Sequence, residues 1–377
     1  MPPSVRPCCL AALCLTTAMT LFAAGPGSLP ADDRSVAESM HALGPGAART
    51  ETDHFVVIGD ADPAWSQSTG VLLETTYDRF ARLMRHLSLP LATPTSKLQC
   101  ILIKDHDRFV AFARAQDGID AGWMGGYYAT QTNRIVFYDS ETSPEFIKAR
   151  DRLTQLNAQA DRARKQAGEA RREKRAQAEE VYRTFAAHAR DAGERQRRLL
   201  ADRAAQAGAA KTTHEAAHLL AFNCGLQLRS RQYPFWLSEG LATCFEAESA
   251  DAARRGLFGP DRDNPVRQRE FAAALSEGTL IPLETLIEMI VPDPDEDTAR
   301  VMYAQAHSLY RWLHRYERQS LAGLYADIAR EPAGHIAPRR HGELFRARFG
   351  STAKLERRWL HDAGAEALKL AAASDEP

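Results

Sequence analysis

The first half of the chain alternates short apolar runs with helical periodicity. Two short, mostly apolar runs, HFVVIG from residue 54 and LQCILI from residue 98, predict buried strands. Apolar positions between residues 71 and 84 recur at helical spacing and predict a helix between these strands, ended by Pro90. A pair of glycines, a polar turn and the run IVFY then predict a hairpin over residues 125–138.

The second half reads as helix after residue 213. Gly, Pro and Asp separate the periodic blocks, which cover residues 213–223, 235–248, 266–276, 283–290, 299–316, 321–328 and 355–361. Together the two halves predict an α+β fold in which a small mixed sheet precedes a helical C-terminal region. We assign residues 51–144 and 211–365 to this one domain.

The segment between these two parts, residues 145–210, has a different composition. It is rich in Ala, Arg and Glu, and it holds 16 Lys/Arg against 10 Asp/Glu in a chain whose formal net charge is -1. A spacing of three and four residues predicts a helix with a narrow seam, formed by Leu153, Leu156, Ala160, Ala163, Ala167 and Ala170. The segment is interpreted as an inserted helical hairpin or coiled-coil arm, with a mobile charged helix as the alternative. The arm is a possible surface for a protein partner.

Both ends of the chain predict segments outside the domain. Residues 1–24 combine Arg6 with an apolar run and small residues, which is typical of a signal peptide. The run is shorter than the roughly 20 residues that span a bilayer, so an uncleaved anchor is the less favoured alternative. We therefore expect an exported, periplasmic or secreted protein, without another membrane span. Residues 25–50 predict a flexible tether, and residues 366–377 a disordered tail.

Composition excludes some classes of function. The near-neutral charge gives no reason to expect nucleic acid or anionic lipid as a partner. Removal of the signal leaves Cys100, Cys224 and Cys244, an odd number that does not indicate a disulfide framework. Pairing of Cys224 with Cys244 and buried free thiols both remain open.

The candidate chemistry begins at residue 214, where the chain reads His-Glu-Ala-Ala-His. Positions i and i+4 share one face of a helix, so His214 and His218 can reach one ion. Glu215 would then lie beside the metal, where a carboxylate can act as general base toward water. An ordinary helix with two solvated histidines is the alternative for this motif alone.

A second motif supplies a third ligand. A catalytic zinc site needs three protein ligands and an open position, and Glu239 lies in the segment WLSEGLA that follows the first motif. The pair of motifs resembles the gluzincin branch of the zincin metallopeptidases, in which a Trp-Leu-x-Glu-Gly-x-Ala helix carries the third zinc ligand. The resemblance implies a zincin-like domain that holds Zn²⁺ through His214, His218 and Glu239.

Two further residues follow from the resemblance and the spacing. Gluzincins similar to aminopeptidase N carry a tyrosine on a later helix that donates to the oxyanion, and the segment YAQAHSLY makes Tyr303 the candidate here. A packing role for Tyr303 is the alternative, and His307 and Tyr310 share its general face. Glu246 lies seven residues after Glu239, two helical turns along the same face, and either orients a ligand histidine or is a surface charge.

The overall resemblance is to a little-characterised bacterial family of exported gluzincin-like proteins. It implies a zinc metallopeptidase acting on a peptide or protein, and it suggests by position that the hairpin over residues 125–138 pairs with extended substrate. The chain departs from aminopeptidases because it lacks a Gly-x-Met-Glu-Asn type signature. A catalytically inactive zincin-fold scaffold that works through the charged arm, and a zinc hydrolase of a non-peptide bond, are the competing hypotheses.

Overall fold

The computed structural model of the protein describes residues 33–374, so the predicted signal peptide lies outside the described residues. Its sheet has five strands: β1 (Ala48–Glu51), β2 (Phe55–Gly59), β3 (Leu98–Ile103), β4 (Gly126–Ala129) and β5 (Arg134–Tyr138). Their order is β1-β2-β3-β5-β4. The three inner strands are parallel, and the two edge strands pair antiparallel to their neighbours. The sheet is therefore small and mixed, as predicted.

Helices make up most of the remaining structure, which confirms the α+β class. They are α1 (Asp33–Leu43), α2 (Pro63–His86), α3 (His106–Phe112), α4 (Pro144–Arg172), α5 (Ala176–Asn223), α6 (Phe235–Phe245), α7 (Ala250–Arg254), α8 (Pro265–Glu277), α9 (Leu283–Leu286), α10 (Glu296–Tyr316), α11 (Arg318–Arg330), α12 (Pro338–Phe349) and α13 (Thr352–Ser374). A π-helical turn, Ala113–Asp117, extends α3.

The two faces of the sheet carry separate hydrophobic clusters, because side chains alternate between faces along a strand. Val57, Cys100 and Ile135 belong to the larger cluster, which also contains buried residues of α2, α5, α6 and α10. Val56 and Val136 belong to the smaller cluster on the other face, with residues of α1 and α3. The inner strands are buried on both faces, which explains why their sequences are mostly apolar rather than alternating.

The chain divides into two compact units. One comprises the described residues on either side of Asp139–Gly208, and it contains the sheet and α6–α13. The other, Asp139–Gly208, contains α4 and most of α5. Within it Ala160, Ala163 and Ala170 form a buried seam on α4. Two helices within one compact unit agree with the helical hairpin predicted over residues 145–210.

The predicted tether and tail are wrong wherever the structure describes them. Residues 33–43 form α1, whose Val36 and Leu43 enter the smaller cluster, and residues 48–51 form β1. Ser39 also donates a hydrogen bond to the buried side chain of Gln99. At the other end, α13 continues to Ser374. Ala- and Gly-rich composition suggested disorder, but a few well-spaced apolar residues suffice to dock a short helix.

The structure bears on whether the three cysteines pair or are free thiols. Cys100, Cys224 and Cys244 are all buried and free, so the free-thiol alternative is the one observed. Burial raises the pKa of Cys224 to about 12, which disfavours the reactive thiolate.

Across residues 33–374 no helix combines the length and apolar character needed to cross a bilayer.

Candidate metal centre

The histidine pair lies on the last part of α5, where the helix is buried on all sides. His214 and His218 are one helical turn apart, and their ring centroids are 5.0 Å apart. His214 is 0% exposed and His218 is 1% exposed. Ala216 and Ala217 between them are also buried, and their small side chains let neighbouring elements approach the helix closely. This burial contradicts the alternative of two solvated histidines.

The third residue, Glu239, is presented by α6. Its Oε2 lies 3.3 Å from Nε2 of His214, and its Oε1 lies 3.4 Å from Nε2 of His218. The predicted ligand atoms of all three residues lie within 4.8 Å of one another. The two motifs therefore meet at one point, as their pairing predicted.

These atoms fit a metal ion by two tests. Within the described residues, Nε2 of both histidines and Oε2 of Glu239 are buried and make no hydrogen bond, although buried polar atoms nearly always have a partner. Two ligand atoms that are each about 2.0–2.2 Å from a tetrahedral ion are about 3.3–3.6 Å apart. The separations of 3.3 and 3.4 Å are of that size and run to different oxygens of Glu239, and one ligand atom from each of the three residues lies within 4.8 Å of the other two. Two imidazoles and one carboxylate could hold one ion and leave a coordination position for water.

Glu246 contacts His214 at Nδ1, the ring nitrogen that does not face Glu239. Its Oε1 lies 3.1 Å from Nδ1 of His214, which supports the hypothesis that it orients a ligand. The reason differs from the predicted one, because α6 ends at Phe245 and Glu246 follows on extended backbone. A hydrogen bond from Nδ1 to the carboxylate leaves the lone pair on Nε2, directed toward Glu239.

Opposite charges dominate the electrostatics of the cluster. Burial by itself would lower the pKa of His214, but the carboxylates of Glu239 and Glu246 outweigh it and raise the pKa to about 10. Burial would likewise raise the pKa of Glu239, but the charges of His218 and His214 lower it to about 2. Without a metal, the two carboxylates therefore favour the protonated form of His214.

Glu215 lies next to His214 on α5 and is 1% exposed. Its negative charge is one of those that raise the pKa of His214. The predicted general base is therefore close to the ligand set and shielded from bulk solvent. In such a site a carboxylate interacts more strongly with charge than it would in water.

Tyr303 lies in α10, fully buried at the contact of α10 with α6. Its ring packs edge-to-face on Phe235, with ring centroids 5.1 Å apart. The guanidinium of Arg267 lies 5.6 Å from the centroid of the same ring. The two alternatives on α10 have other contacts, since the hydroxyl of Tyr310 is 3.3 Å from that of Tyr325 and Nδ1 of His307 is 3.6 Å from the thiol of Cys244.

Arg267 and Glu270, both on α8, are parts of the site that the sequence did not predict. Arg267 makes two hydrogen bonds to Glu246, of 2.7 and 2.8 Å, and one of 3.0 Å to Glu270. Neither residue belongs to a recognisable motif, and Arg267 is 21 positions from Glu246. No signal in the sequence links them to the histidines.

The predicted substrate hairpin consists of β4 and β5. β4 is an edge strand of the sheet, as that prediction requires. All four of its residues, Gly126–Ala129, are buried. Binding of substrate along this edge stays a prediction.

Gly240 sets the distance between α6 and α10, the helices that carry Glu239 and Tyr303. A Cβ at Gly240 would lie 2.5 Å from the carbonyl oxygen of Ala306 and 2.9 Å from Cβ of Tyr310. Gly240→Ala should therefore destabilise the protein by about 1–3 kcal/mol, because a helix backbone must shift. Gly168→Ala in α4 is the matched control, since a Cβ there meets nothing within 4 Å. Helix propensity predicts that the control stabilises by about 0.5–1 kcal/mol. Urea unfolding measures both, and equal effects of the two variants would contradict this close packing.

The comparisons with known proteins add little to this geometry. A family model described as "Protein of unknown function (DUF1570)" matches residues 208–333. That segment contains both histidines, Glu239, Glu246, Arg267 and Tyr303. No curated protein matches the chain.

Proposed function

We propose that this protein is an exported zinc-dependent hydrolase that cleaves peptide bonds with water. His214, His218 and Glu239 hold the ion. One observation carries the proposal: three buried ligand atoms without hydrogen bonds in the described chain, contributed by two separate motifs, lie within 4.8 Å of one another, close enough to hold one ion. The peptidase class is supported by the resemblance of both motifs to gluzincins.

The residues of the chain divide the chemistry between them. When bound, zinc would act as a Lewis acid that lowers the pKa of water and polarises a carbonyl. Glu215 accepts the proton of the attacking water and later passes it to the leaving amine. The hydroxyl of Tyr303 donates to the carbonyl oxygen as negative charge develops there. Glu246 accepts a hydrogen bond from Nδ1 of His214, so that Nε2 is the nitrogen that loses its proton and faces the ion.

Export and partners belong to the same proposal. The apolar run within residues 1–24 supports a signal peptide, so the substrate is a peptide or protein outside the cytoplasm. The charged unit Asp139–Gly208 offers a surface for a protein partner.

Metal content and a digest of a peptide library test the proposal together. The purified chain should contain about one zinc ion and should cleave some members of the library. Dialysis against a chelator should abolish cleavage, and added zinc should restore it, because the ligand atoms converge on one site.

The result separates the competing functions. Stoichiometric zinc without cleavage of any peptide would favour a scaffold or a hydrolase of another bond. A chain that binds no zinc would exclude the metal centre itself.

A further inference from the structure

Arg267 is buried beside the candidate metal centre, where its guanidinium donates hydrogen bonds to Glu246 and Glu270. It is 3% exposed, and it lies in the first turn of α8. Nε and Nη2 bind the two oxygens of Glu246, while Nη1 binds Glu270. Paired N–H···O bonds of this kind fix both the position and the plane of a carboxylate, which a lysine cannot do.

The carboxylate of Glu246 is bound from two sides, by His214 and by Arg267. Glu246 follows the end of α6 on extended backbone, outside the helix. The oxygen that faces Nδ1 of His214 at 3.1 Å is also the one that Nη2 of Arg267 binds at 2.7 Å. The orientation of His214 therefore depends on Arg267 through one shared oxygen.

The same guanidinium also reaches the tyrosine of the proposed mechanism. It lies 5.6 Å from the centroid of the Tyr303 ring, within the range of a cation–π contact. One residue of α8 thus contacts both the carboxylate behind a metal ligand and the ring on α10.

We propose that Arg267 is a positioning residue that orients His214 for metal through Glu246 and supports the ring of Tyr303. The proposal rests on the zinc site of the proposed function. It predicts that Arg267 and Glu246 act as one unit, so that either substitution causes most of the loss that both cause together.

A double-mutant cycle on zinc affinity tests this unit. Glu246→Gln and Arg267→Met should each lower zinc affinity by about 10–100-fold, as is typical for partners of ligand histidines. The zinc affinity of the double variant should be no more than about threefold below that of the single variant with the lower affinity. The effects of substituting two interacting residues are not additive. Arg267→Lys keeps the charge without the planar fork, and it should lose about tenfold. Competition with a chromophoric chelator measures the zinc affinities of the wild type and of these four variants.

Arg134→Met is the matched control. Arg134 is also buried, pairs with the buried Asp117 at 2.8 Å and lies 4.9 Å from the centroid of Phe112. It belongs to β5, and its partners contact the opposite face of the sheet from α5. Zinc affinity of this control should equal that of the wild type. Additive losses in the cycle, or wild-type affinity in Arg267→Lys, would overturn the proposal.

A measurement on the metal-free protein separates this proposal from the zinc site. With ¹⁵N-labelled histidine, the Nδ1 proton of His214 should exchange slowly with water, and Glu246→Ala identifies its resonance by removing it. In Arg267→Met the exchange rate should rise by at least tenfold, and in Arg134→Met it should not change. If the wild type bound no zinc, the proposed function would fail while this rate still decided the role of Arg267. An unchanged rate in Arg267→Met would refute that role.

Discussion

Glu215→Gln should reduce peptide hydrolysis by about 10²–10⁴-fold and leave zinc in place, which is the range that a positioned general base contributes. The amide has nearly the same shape as the carboxylate, but it cannot accept a proton from water. The Glu215 side chain is buried beside His214 and is not needed to complete the ligand set. The loss should therefore fall on kcat, with little change in KM.

The control for this variant is a glutamate on the same helix. Glu180 is also on α5, where its side chain is exposed and pairs with Arg183. Glu180→Gln should hydrolyse peptides at the wild-type rate. If Glu215→Gln bound zinc and kept more than a tenth of the wild-type rate, Glu215 would not be the base.

The inner strands and the histidine helix could be predicted because their signals are local. β2 and β3 are buried on both faces, so each is a mostly apolar run rather than an alternating one. The histidine pair needs only the geometry of one helix, since positions i and i+4 always share a face. Glu239 required a second motif, and its meeting with the histidines rested on a family resemblance.

The parts that escaped prediction depend on contacts between distant residues. α1 is held by a few apolar side chains and by the hydrogen bond from Ser39 to Gln99, 60 positions away. α12, Pro338–Phe349, lies outside every predicted block, since four arginines interrupt its apolar pattern. The contact of Arg267 with Glu246 depends on how α8 packs against the end of α6, and no sequence spacing predicts it.

The two glutamates of the site show how position changes the meaning of a residue. The spacing of Glu246 from Glu239 suggested two turns of one helix, but α6 ends before Glu246. Its carboxylate reaches His214 because the chain leaves the helix there and Arg267 binds it from the other side. The contact with His214 agrees with the predicted orienting role of Glu246, whereas the continuous helix from Glu239 to Glu246 is wrong.

His218→Leu should lower zinc affinity by more than about 100-fold, because even the outer partners of ligand histidines cost 10–100-fold. Leucine fits a buried position without leaving an unsatisfied polar atom. At a free zinc concentration of 100 times the wild-type Kd, zinc should stabilise the wild type by about 2.7 kcal/mol. The same concentration should hardly stabilise the variant. Thermal unfolding with and without zinc measures both.

The control for this substitution is another buried histidine. His341 is 2% exposed and lies on α12, outside the ligand cluster. His341→Leu should keep the zinc-dependent stabilisation of the wild type. Equal loss in the two variants would indicate that any buried histidine affects zinc binding through the fold alone.

Zinc affinity should rise with pH, because the ion competes with a proton for His214. A metal ligand must be deprotonated, and in the metal-free protein the pKa of His214 is raised to about 10. Between pH 6 and 8 each bound zinc must therefore displace one proton from His214, and the affinity should rise about tenfold per pH unit. Zinc held nonspecifically by exposed carboxylates would show no such slope, because those groups are already ionised in that range. A flat profile would mean that the ion does not bind at His214.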